Sequence, residues 1–248
     1  MIEVRDLKKS FGSHTILDGV SFRIEPGESV VIIGRSGGGK SVLLKHLIGL
    51  LKPDSGEVLI DNENIVAMDE RELLRVRRKF GMLFQSAALF DSMSVAENVG
   101  FPLQRIQKLN EREIQEKVAE VLEMVDLPGT GNKKPSELSG GMRKRVGLAR
   151  AIVYQPEIVL YDEPTTGLDP IMSDSIDQLI MRVRDRLHVT SVVVTHDMRS
   201  ARRVGNRIIM LHDKKIYATG TPEEIFASKD PIVRRFIDGV SDPKEDFF

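Results

Sequence analysis

A glycine-rich segment between an apolar strand and an apolar helix constrains this chain more than any other feature. Residues 29–33 (SVVII) lead directly into residues 34–41 (GRSGGGKS), which fit the pattern G-x-x-x-x-G-K-[ST]. Residues 42–51 are apolar on nearly every side, which is typical of a helix buried against a sheet. A strand, a phosphate-binding loop and a buried helix in this order predict an α/β core that binds a nucleoside triphosphate.

The loop itself supplies the candidate phosphate ligands. Its glycines let backbone N–H groups approach the phosphates, and the helix N-terminus adds a partial positive charge. Lys40 is expected to reach the β- and γ-phosphates, and Ser41 to ligate Mg²⁺. A plain glycine turn is the alternative, but the Lys-Ser ending disfavours it. The nucleotide-binding candidates of this segment are Gly34, Ser36, Gly37, Gly38, Gly39, Lys40, Ser41 and Val42.

Two carboxylates follow a second apolar strand, residues 158–161. A carboxylate at the end of a buried strand can hold Mg²⁺, which is the role expected of Asp162. Glu163 would be redundant as a metal ligand, so the sequence favours it as the general base or as the group that positions the attacking water. His196 follows the apolar strand 191–195 and can hydrogen-bond a γ-phosphate, although a lone histidine after a strand is usually structural.

The pattern along the chain predicts an α/β core with a helical insertion. Strand patterns occupy the first 60 residues apart from the helix at 42–51, helical patterns dominate residues 86–152, and strand patterns then return. The formal net charge is −1, which gives no global attraction to nucleic acid or anionic membranes. The chain lacks cysteine and any apolar run long enough to span a bilayer. We therefore expect a cytoplasmic protein that only a partner could hold at a membrane.

The segment LSGGM, residues 138–142, lies between the phosphate loop and the carboxylate strand, and these motifs together resemble the nucleotide-binding subunit of ATP-binding cassette (ABC) transporters. The resemblance implies a P-loop ATPase fold: a RecA-like α/β core, an N-terminal antiparallel β-subdomain and an inserted α-helical subdomain. It implies one ABC ATPase domain over residues 1–225, with the core at 1–85 and 153–225, the helical subdomain at about 86–152, and a C-terminal tail at 226–248.

The resemblance also implies roles for individual residues, with ATP and Mg²⁺ as cofactors. In the family two subunits meet head to tail, and the signature residues of one cap the γ-phosphate held by the other. Glu163 and His196 match the catalytic glutamate and the switch histidine of the family. Lys40 is a further candidate catalytic residue. Met142 stands where the family has glutamine, and we expect activity to be retained. The remaining matches are Phe11 stacking on adenine, Gln85 touching Mg²⁺ and acting in catalysis, Ser139, Gly140 and Gly141 acting in trans, and Asp169 in the loop that crosses the dimer interface.

A narrower resemblance joins residues 84–103, 137–152 and 161–171 to the ATPases of Mla/Mce-type systems, which move lipids between membranes. It implies phospholipid transport powered by a homodimer at the cytoplasmic face of the inner membrane. The implied partners are an integral-membrane permease and an Mce-domain lipid-binding protein. The candidates for contact with a permease helix are Ala87, Ala88, Leu89, Phe90 and Met93, which could instead pack in the core of this protein.

Other functions remain as alternatives or are excluded. The nearest alternative is the ATPase of an importer for a small solute such as an amino acid, followed by a non-transport ABC ATPase. Too few residues separate Lys40 from Leu138 for the long coiled coils of chromosome-maintenance ATPases. Asn132-Lys133-Lys134-Pro135 lacks the aspartate that selects guanine. The basic run between Arg71 and Lys79 is expected to be a solvated helix face rather than a nucleic-acid or lipid contact. Phe236, Phe247 and Phe248 in the tail either dock across to a second subunit or belong to a disordered segment.

Overall fold

The structure is a computed structural model that describes residues 1–107 and 109–241. Within these residues the fold contains two β-sheets. The strands of these residues are β1 Ile2–Phe11, β2 His14–Ile24, β3 Ser29–Ile33, β4 Ser55–Ile60, β5 Glu63–Asn64, β6 Phe80–Leu83, β7 Ile158–Asp162, β8 Thr190–Thr195, β9 Arg207–His212 and β10 Lys215–Gly220.

The first sheet is antiparallel and lies in the N-terminal region, with the strand order β2-β1-β4-β5. Along β1 the buried residues Ile2, Val4 and Leu7 are separated by more exposed positions, as expected for a strand with one face in the core. This sheet corresponds to the N-terminal antiparallel β-subdomain that the family resemblance implies.

The second sheet has the order β10-β9-β3-β8-β7-β6. All of its strand pairs are parallel except β9 with β10, which are antiparallel. Its central strands β3, β7 and β8 are buried at every residue, because helices cover both faces of the sheet. Val31 and Ile33 belong to one apolar core, and Val30 and Ile32 to the core on the other face.

Nine α-helices pack around the sheets in the described residues: α1 Lys40–Leu47, α2 Glu70–Arg77, α3 Val95–Ile106, α4 Glu111–Met124, α5 Gly140–Ile152, α6 Pro170–Leu187, α7 Met198–Val204, α8 Pro222–Ala227 and α9 Pro231–Asp238. None of the helices in the described ranges is long and apolar enough to cross a membrane.

The helical insertion consists of α3, α4 and α5. Local sequence signals fix where the first two begin: Ser94 with Glu97, and Asn110 with Glu113, form capping boxes that satisfy free N–H groups of the first turn. The buried residues of α4 follow the helical period that the sequence indicates for residues 111–125.

The predicted fold class is confirmed, and the differences lie at element ends. The helix expected at residues 42–51 begins at Lys40 and ends at Leu47, and the helix expected near residue 174 begins at Pro170. Strand β6 has only four residues and has no prediction from the sequence.

The second half of the basic run, and the tail, make contacts that a solvated surface does not require. Arg75 pairs with Glu63, Lys79 pairs with Asp61, and Arg77 donates to the carbonyl oxygens of Ile48 and Gly49. In the tail, α9 packs Phe236 against the core, whereas Phe247 and Phe248 lie outside the described residues.

Candidate functional site

Four neighbouring strands of the six-stranded sheet deliver the predicted site residues to one edge. The strands β3, β8, β7 and β6 are parallel neighbours, so their carboxyl ends meet at the same edge of the sheet. After β3 comes the glycine-rich loop, and after β8 comes His196. Strand β7 ends at Asp162, with Glu163 next to it, and Gln85 lies two residues beyond β6. The topology therefore brings together motifs that are far apart in the sequence.

The glycine-rich loop wraps around the ammonium group of Lys40. This side chain is 4% exposed, and its Nζ donates to the carbonyl oxygens of Gly34 at 2.8 Å and Arg35 at 3.0 Å. Gly39, the residue before α1, has a φ of 92°, which strongly favours glycine. A Cβ on Gly34 would lie 2.5 Å from the carbonyl oxygen of Leu211, so a larger residue would push the loop off the sheet. The loop thus presents a buried positive charge and a helix N-terminus together, which suits a phosphate group.

Ser41 and Asp162 meet beside this loop. The Ser41 hydroxyl donates to the Asp162 carboxylate at 2.6 Å, although the two residues are 121 positions apart. Hydroxyl and carboxylate oxygens are ligands that Mg²⁺ prefers. The described residues contain no cluster of three or more His, Asp or Glu side chains that could enclose a metal ion by themselves. This pair therefore fits Mg²⁺ that is held partly by the protein and partly by phosphate oxygens.

Glu163 is the centre of the polar contacts at this edge. Its side chain lies 3.4 Å from the Lys40 ammonium and 2.8 Å from Nδ1 of His196. The Thr166 hydroxyl also donates to it at 3.1 Å. Its backbone has a φ of 49°, in the left-handed region that non-glycine residues seldom adopt. Lys40, Glu163 and His196 are thus brought together as the sequence predicts.

The signature residues cap helix α5. Ser139 is its N-cap, and the hydroxyl accepts a hydrogen bond from the backbone N–H of Met142 at 3.2 Å. A Cβ on Gly141 would lie 2.3 Å from Cε of Met172 in α6, so a larger residue would displace the end of the Met172 side chain. Asp169 caps α6 and accepts from the N–H groups of Ile171 and Met172. The signature and the loop that carries Asp169 therefore pack together within one subunit.

Phe11 and Gln85 are surface positions. Phe11 ends β1, is 48% exposed, and has the Nζ of Lys9 at 5.4 Å from its ring centroid. Gln85 is exposed, and its carbonyl oxygen accepts a hydrogen bond from Lys144. Both side chains are accessible to a ligand.

Lys144 is the residue at this site that sequence reasoning missed. Its ammonium group contacts the backbone of both Gln85 and Glu163. Arg143-Lys144-Arg145 resembles a solvated basic run, yet the helical period places Lys144 on the same face as the buried Leu148 and Ala151. That period is the signal by which it could have been found.

The comparisons with known proteins agree with this geometry. Residues 17–166 match the ABC transporter family, a span that contains the phosphate loop, Gln85, the signature and both carboxylates. The chain belongs to the ABC transporter family. It is an ATP-binding, ATP-hydrolysing subunit of that family, as the motifs predict.

Three relatives illustrate the similarity. The probable ribonucleotide transport ATP-binding protein mkl of Mycobacterium leprae is 46% identical over 96% of this chain, which spans 69% of that protein's length. The intermembrane phospholipid transport system ATP-binding protein MlaF of Escherichia coli K12 is 41% identical over 98% of this chain and 90% of its own. The dimeric ATP-binding cassette MJ0796, solved in a post-hydrolysis state with ADP and Pi, superposes with a TM-score of 0.83 at 36% identity, covering 90% of this chain and 99% of its own.

Proposed function

We propose that this chain hydrolyses ATP to drive phospholipid transport between membranes, through a partner permease and an Mce-domain protein. The observation that carries the ATPase part is the convergence of Lys40, Glu163 and His196 beside the Ser41–Asp162 pair. The lipid part is supported by the similarity to MlaF, which extends over nearly the whole of both chains.

In this proposal the phosphate loop binds the triphosphate of ATP. The Lys40 ammonium exchanges its two loop carbonyls and Glu163 for β- and γ-phosphate oxygens, which together carry more negative charge than a single carboxylate. Phe11 stacks on the adenine through its exposed ring. Ser41 and Asp162, with Gln85 at the same edge, hold Mg²⁺, which when bound neutralises charge on the phosphate oxygens.

Glu163 positions and deprotonates the attacking water. In the structure its carboxylate contacts Lys40 and His196, and the residue is buried. Once Lys40 turns to the phosphates, one Glu163 oxygen is free to accept a proton from water. His196 then keeps the carboxylate oriented through Nδ1, and its other ring nitrogen can donate to the γ-phosphate when both ring nitrogens carry a proton.

A second copy of the chain completes each site. Ser139, Gly140 and Gly141 lie at the N-terminus of α5, where backbone N–H groups suit an anionic phosphate. Next to them Ile171 is 81% exposed, more than any other large apolar side chain in the described ranges. An exposed apolar residue beside phosphate-binding groups fits a surface that is covered when two subunits close over ATP. The proposed homodimer places Asp169 at this interface.

The permease contacts the segment after Gln85. Phe90 is 44% exposed, and its ring lies 5.2 Å from that of Phe101. The side chain of the buried Asn98 fixes the backbone of Phe90, since it accepts from the N–H of Phe90 and donates to the Phe90 carbonyl oxygen. An apolar ring on a fixed backbone is suited to receive an apolar side chain from a permease helix.

The other four candidates for the permease contact differ in exposure. Ala88 is exposed, and Leu89 and Met93 are partly exposed, so these three remain candidates beside Phe90. Ala87 is 1% exposed and belongs to the core, so it is removed from the proposed contact. Through the permease the ATPase would lie at the cytoplasmic face of the inner membrane.

A second candidate cargo follows from the mycobacterial relative, which is named for ribonucleotide transport. Cargo is decided by partners, so the test is to recover them. The tagged chain is purified from gently solubilised native membranes, and both proteins and lipids are identified by mass spectrometry. The Glu223→Gln variant, changed at an exposed helix position, serves as the matched tagged control for Phe90→Asp.

We expect a multi-span permease, an Mce-domain protein and bound phospholipid to be recovered, and Phe90→Asp to lose them. Recovery of a permease with a solute-binding protein would contradict the lipid cargo and favour a solute importer. Recovery of no membrane protein would contradict the transport function, and ATPase activity of the purified chain would then identify a non-transport ABC ATPase.

A further inference from the structure

Lys144 lies on helix α5, and its buried ammonium group contacts two parts of the ATP site. The residue is 5% exposed, and Nζ donates to the carbonyl oxygens of Gln85 at 2.5 Å and Glu163 at 3.2 Å. Burial lowers the pKa of this lysine, and the negative charges of Asp162 and Glu163 act in the opposite direction. A cation is costly to bury, so its retention at this point requires the acceptors that it has found.

The segment held by this helix has an unusual backbone. Ala87 and Ala88 have φ values of 61° and 47°, two consecutive non-glycine residues in the left-handed region. Such conformations persist only when the surroundings impose them. The guanidinium of Arg150 donates to the carbonyl oxygens of Ala87 at 2.7 Å and Ala88 at 2.8 Å. Helix α5 therefore fixes the backbone after Gln85 at both ends, with Lys144 at one end and Arg150 at the other.

The same helix carries the signature at its N-terminus. Lys144 lies little more than one turn from Ser139, so a shift of one is transmitted to the other with little loss. Of the two cations that hold the Gln85 segment, Lys144 is the one that also contacts the backbone of Glu163. Lys144 thus contacts the backbone carbonyl oxygens of Gln85 and Glu163 in its own ATP site. It shares a helix with the signature that, in the proposed dimer, serves the opposite site.

We propose that Lys144 is a positioning residue that couples the two ATP sites of the dimer. Nucleotide at Gln85 and Glu163 of one subunit sets the position of the Lys144 ammonium, and with it the signature that completes the partner's site. The inference rests on the proposed dimeric function. It adds a specific residue through which occupancy of one site affects hydrolysis at the other.

The experiment measures the ATPase rate of the full-length chain against ATP concentration, together with ATP affinity by calorimetry without Mg²⁺ and the melting temperature. Lys144→Met removes the ammonium and keeps the length, Lys144→Gln keeps one donor group, and Lys144→Arg keeps the charge. Arg145→Met is the matched control: Arg145 is the neighbouring cation on α5 and donates to the carbonyl oxygen of Val125 and to Asp126, away from the ATP site.

We expect Lys144→Met to abolish the sigmoidal dependence on ATP, because it removes a coupling that is typically worth about 5- to 150-fold in affinity between sites, and to lower kcat at saturating ATP. Its affinity for ATP should remain within about twofold of the wild type, because Lys144 touches no nucleotide-binding side chain directly. Lys144→Arg should keep most of the wild-type rate and the sigmoidal curve. Lys144→Gln should lie between Lys144→Met and Lys144→Arg in both respects, and it replaces Lys144→Met if that variant does not fold. Arg145→Met should lower the melting temperature and keep the curve sigmoidal.

The outcomes separate this inference from the function on which it rests. A sigmoidal curve in the lysine variants like that of the wild type would overturn the coupling role of Lys144 alone. An equal loss in Arg145→Met would also overturn it, since general loosening of α5 would then be the cause. A wild-type chain that is inactive would overturn the proposed ATPase function, whereas an active wild type with a hyperbolic curve would show two uncoupled sites and overturn the coupling role of Lys144.

Discussion

Glu163 combines a strained backbone with a side chain held by three partners. A non-glycine residue in the left-handed region costs about 1–3 kcal/mol, and such strain is found mostly at functional sites. The backbone N–H of Glu163 donates to Val194 of β8 at 2.9 Å, which helps to hold this conformation. This conformation places the Glu163 carboxylate between Lys40 and His196 instead of in solvent.

Replacing Glu163 by glutamine therefore tests catalysis with little change of shape. We expect Glu163→Gln to bind ATP with near-normal affinity and to lower kcat by about 10²–10⁴-fold, because an amide cannot accept the proton of the attacking water. Steady-state ATPase assays and calorimetric ATP titrations check this, with Glu223→Gln as the control for an exposed glutamate. Turnover within about threefold of the wild type would remove Glu163 from the catalytic role.

Asp177 in α6 predicts a pH dependence of stability. Its carboxylate accepts from the Ser200 hydroxyl at 2.8 Å, while its other oxygen is buried without a partner in the described residues. Burial raises the pKa of Asp177 to about 6 from 3.8, and the charge of Asp197 adds to this. Because the folded state holds the proton more tightly, this group stabilises the fold most below pH 3.8, and that contribution falls as the pH rises through about 6.

Asp177→Asn should remove the loss of stability at higher pH, because an amide does not ionise. Its oxygen can still accept the hydrogen bond from Ser200. We expect the variant to be more stable than the wild type at pH 8 by about 1–3 kcal/mol, and the difference to shrink towards pH 5. Urea denaturation at both pH values measures it, with Asp185→Asn on the exposed side of α6 as the control. A difference that is the same at both pH values would contradict an ionised, buried Asp177 at neutral pH.

At the scale of elements, the contact between β6 and α5 allows no side chain at Gly81. A Cβ there would lie 2.2 Å from the carbonyl oxygen of Ala151, which is a backbone atom of α5 and cannot rotate away. Strand β6 leads to Gln85, and α5 carries the signature and Lys144. Separating the two elements would therefore disturb the fold and the ATP site together.

Gly81→Ala should lower the free energy of unfolding by about 1–3 kcal/mol through overpacking, as seen for extra methyl groups in close-packed interiors. Thermal and urea denaturation give the value. Gly131→Ala is the matched control, because its Cβ would meet its nearest neighbour, Cβ of Ala96, at an ordinary 3.4 Å. Because exchange of glycine for alanine at an unstrained position lowers the entropy of the unfolded chain, Gly131→Ala should be neutral or slightly stabilising. An equal loss of stability in both variants would show that the β6–α5 contact is not its cause.

Elements with a strong local signal could be predicted from the sequence, and those fixed by neighbours could not. The strand–loop–helix at residues 29–47 and the amphipathic helix α4 have such signals, in the glycine pattern and in the apolar period. Strand β6 is four residues long, too short for a period, and it is a strand because it pairs with β7. Likewise the acidic pair Asp162-Glu163 was predictable, whereas the contacts of Lys144 depend on two backbone segments that the fold brings to it.

At the scale of the whole molecule, one face of this subunit is incomplete by itself. The signature at the start of α5 packs against the start of α6, where Asp169 is the N-cap and Ile171 extends into solvent. The N–H groups at the start of α5, the helix cap Asp169 and an exposed apolar side chain thus share one surface. In the proposed dimer this surface closes over the nucleotide of the second subunit, so Ile171 would pass from water into the interface.

Ile171→Asp should therefore prevent ATP-dependent dimerisation. The test uses the Glu163→Gln background, in which ATP is bound and scarcely hydrolysed, and measures the dimer by analytical ultracentrifugation with Mg-ATP. Burying an unpaired carboxylate in place of an apolar anchor should weaken the dimer by at least about tenfold. Leu74→Asp is the control, because Leu74 is also exposed, at 54%, but lies on α2. Since ATP binds mainly to groups of one subunit, affinity of the monomer for ATP should be unchanged in both variants. Dimerisation of Ile171→Asp as strong as that of Leu74→Asp would place the ATP-dependent interface on another face of the molecule, and the signature would then have to reach the nucleotide by a different route.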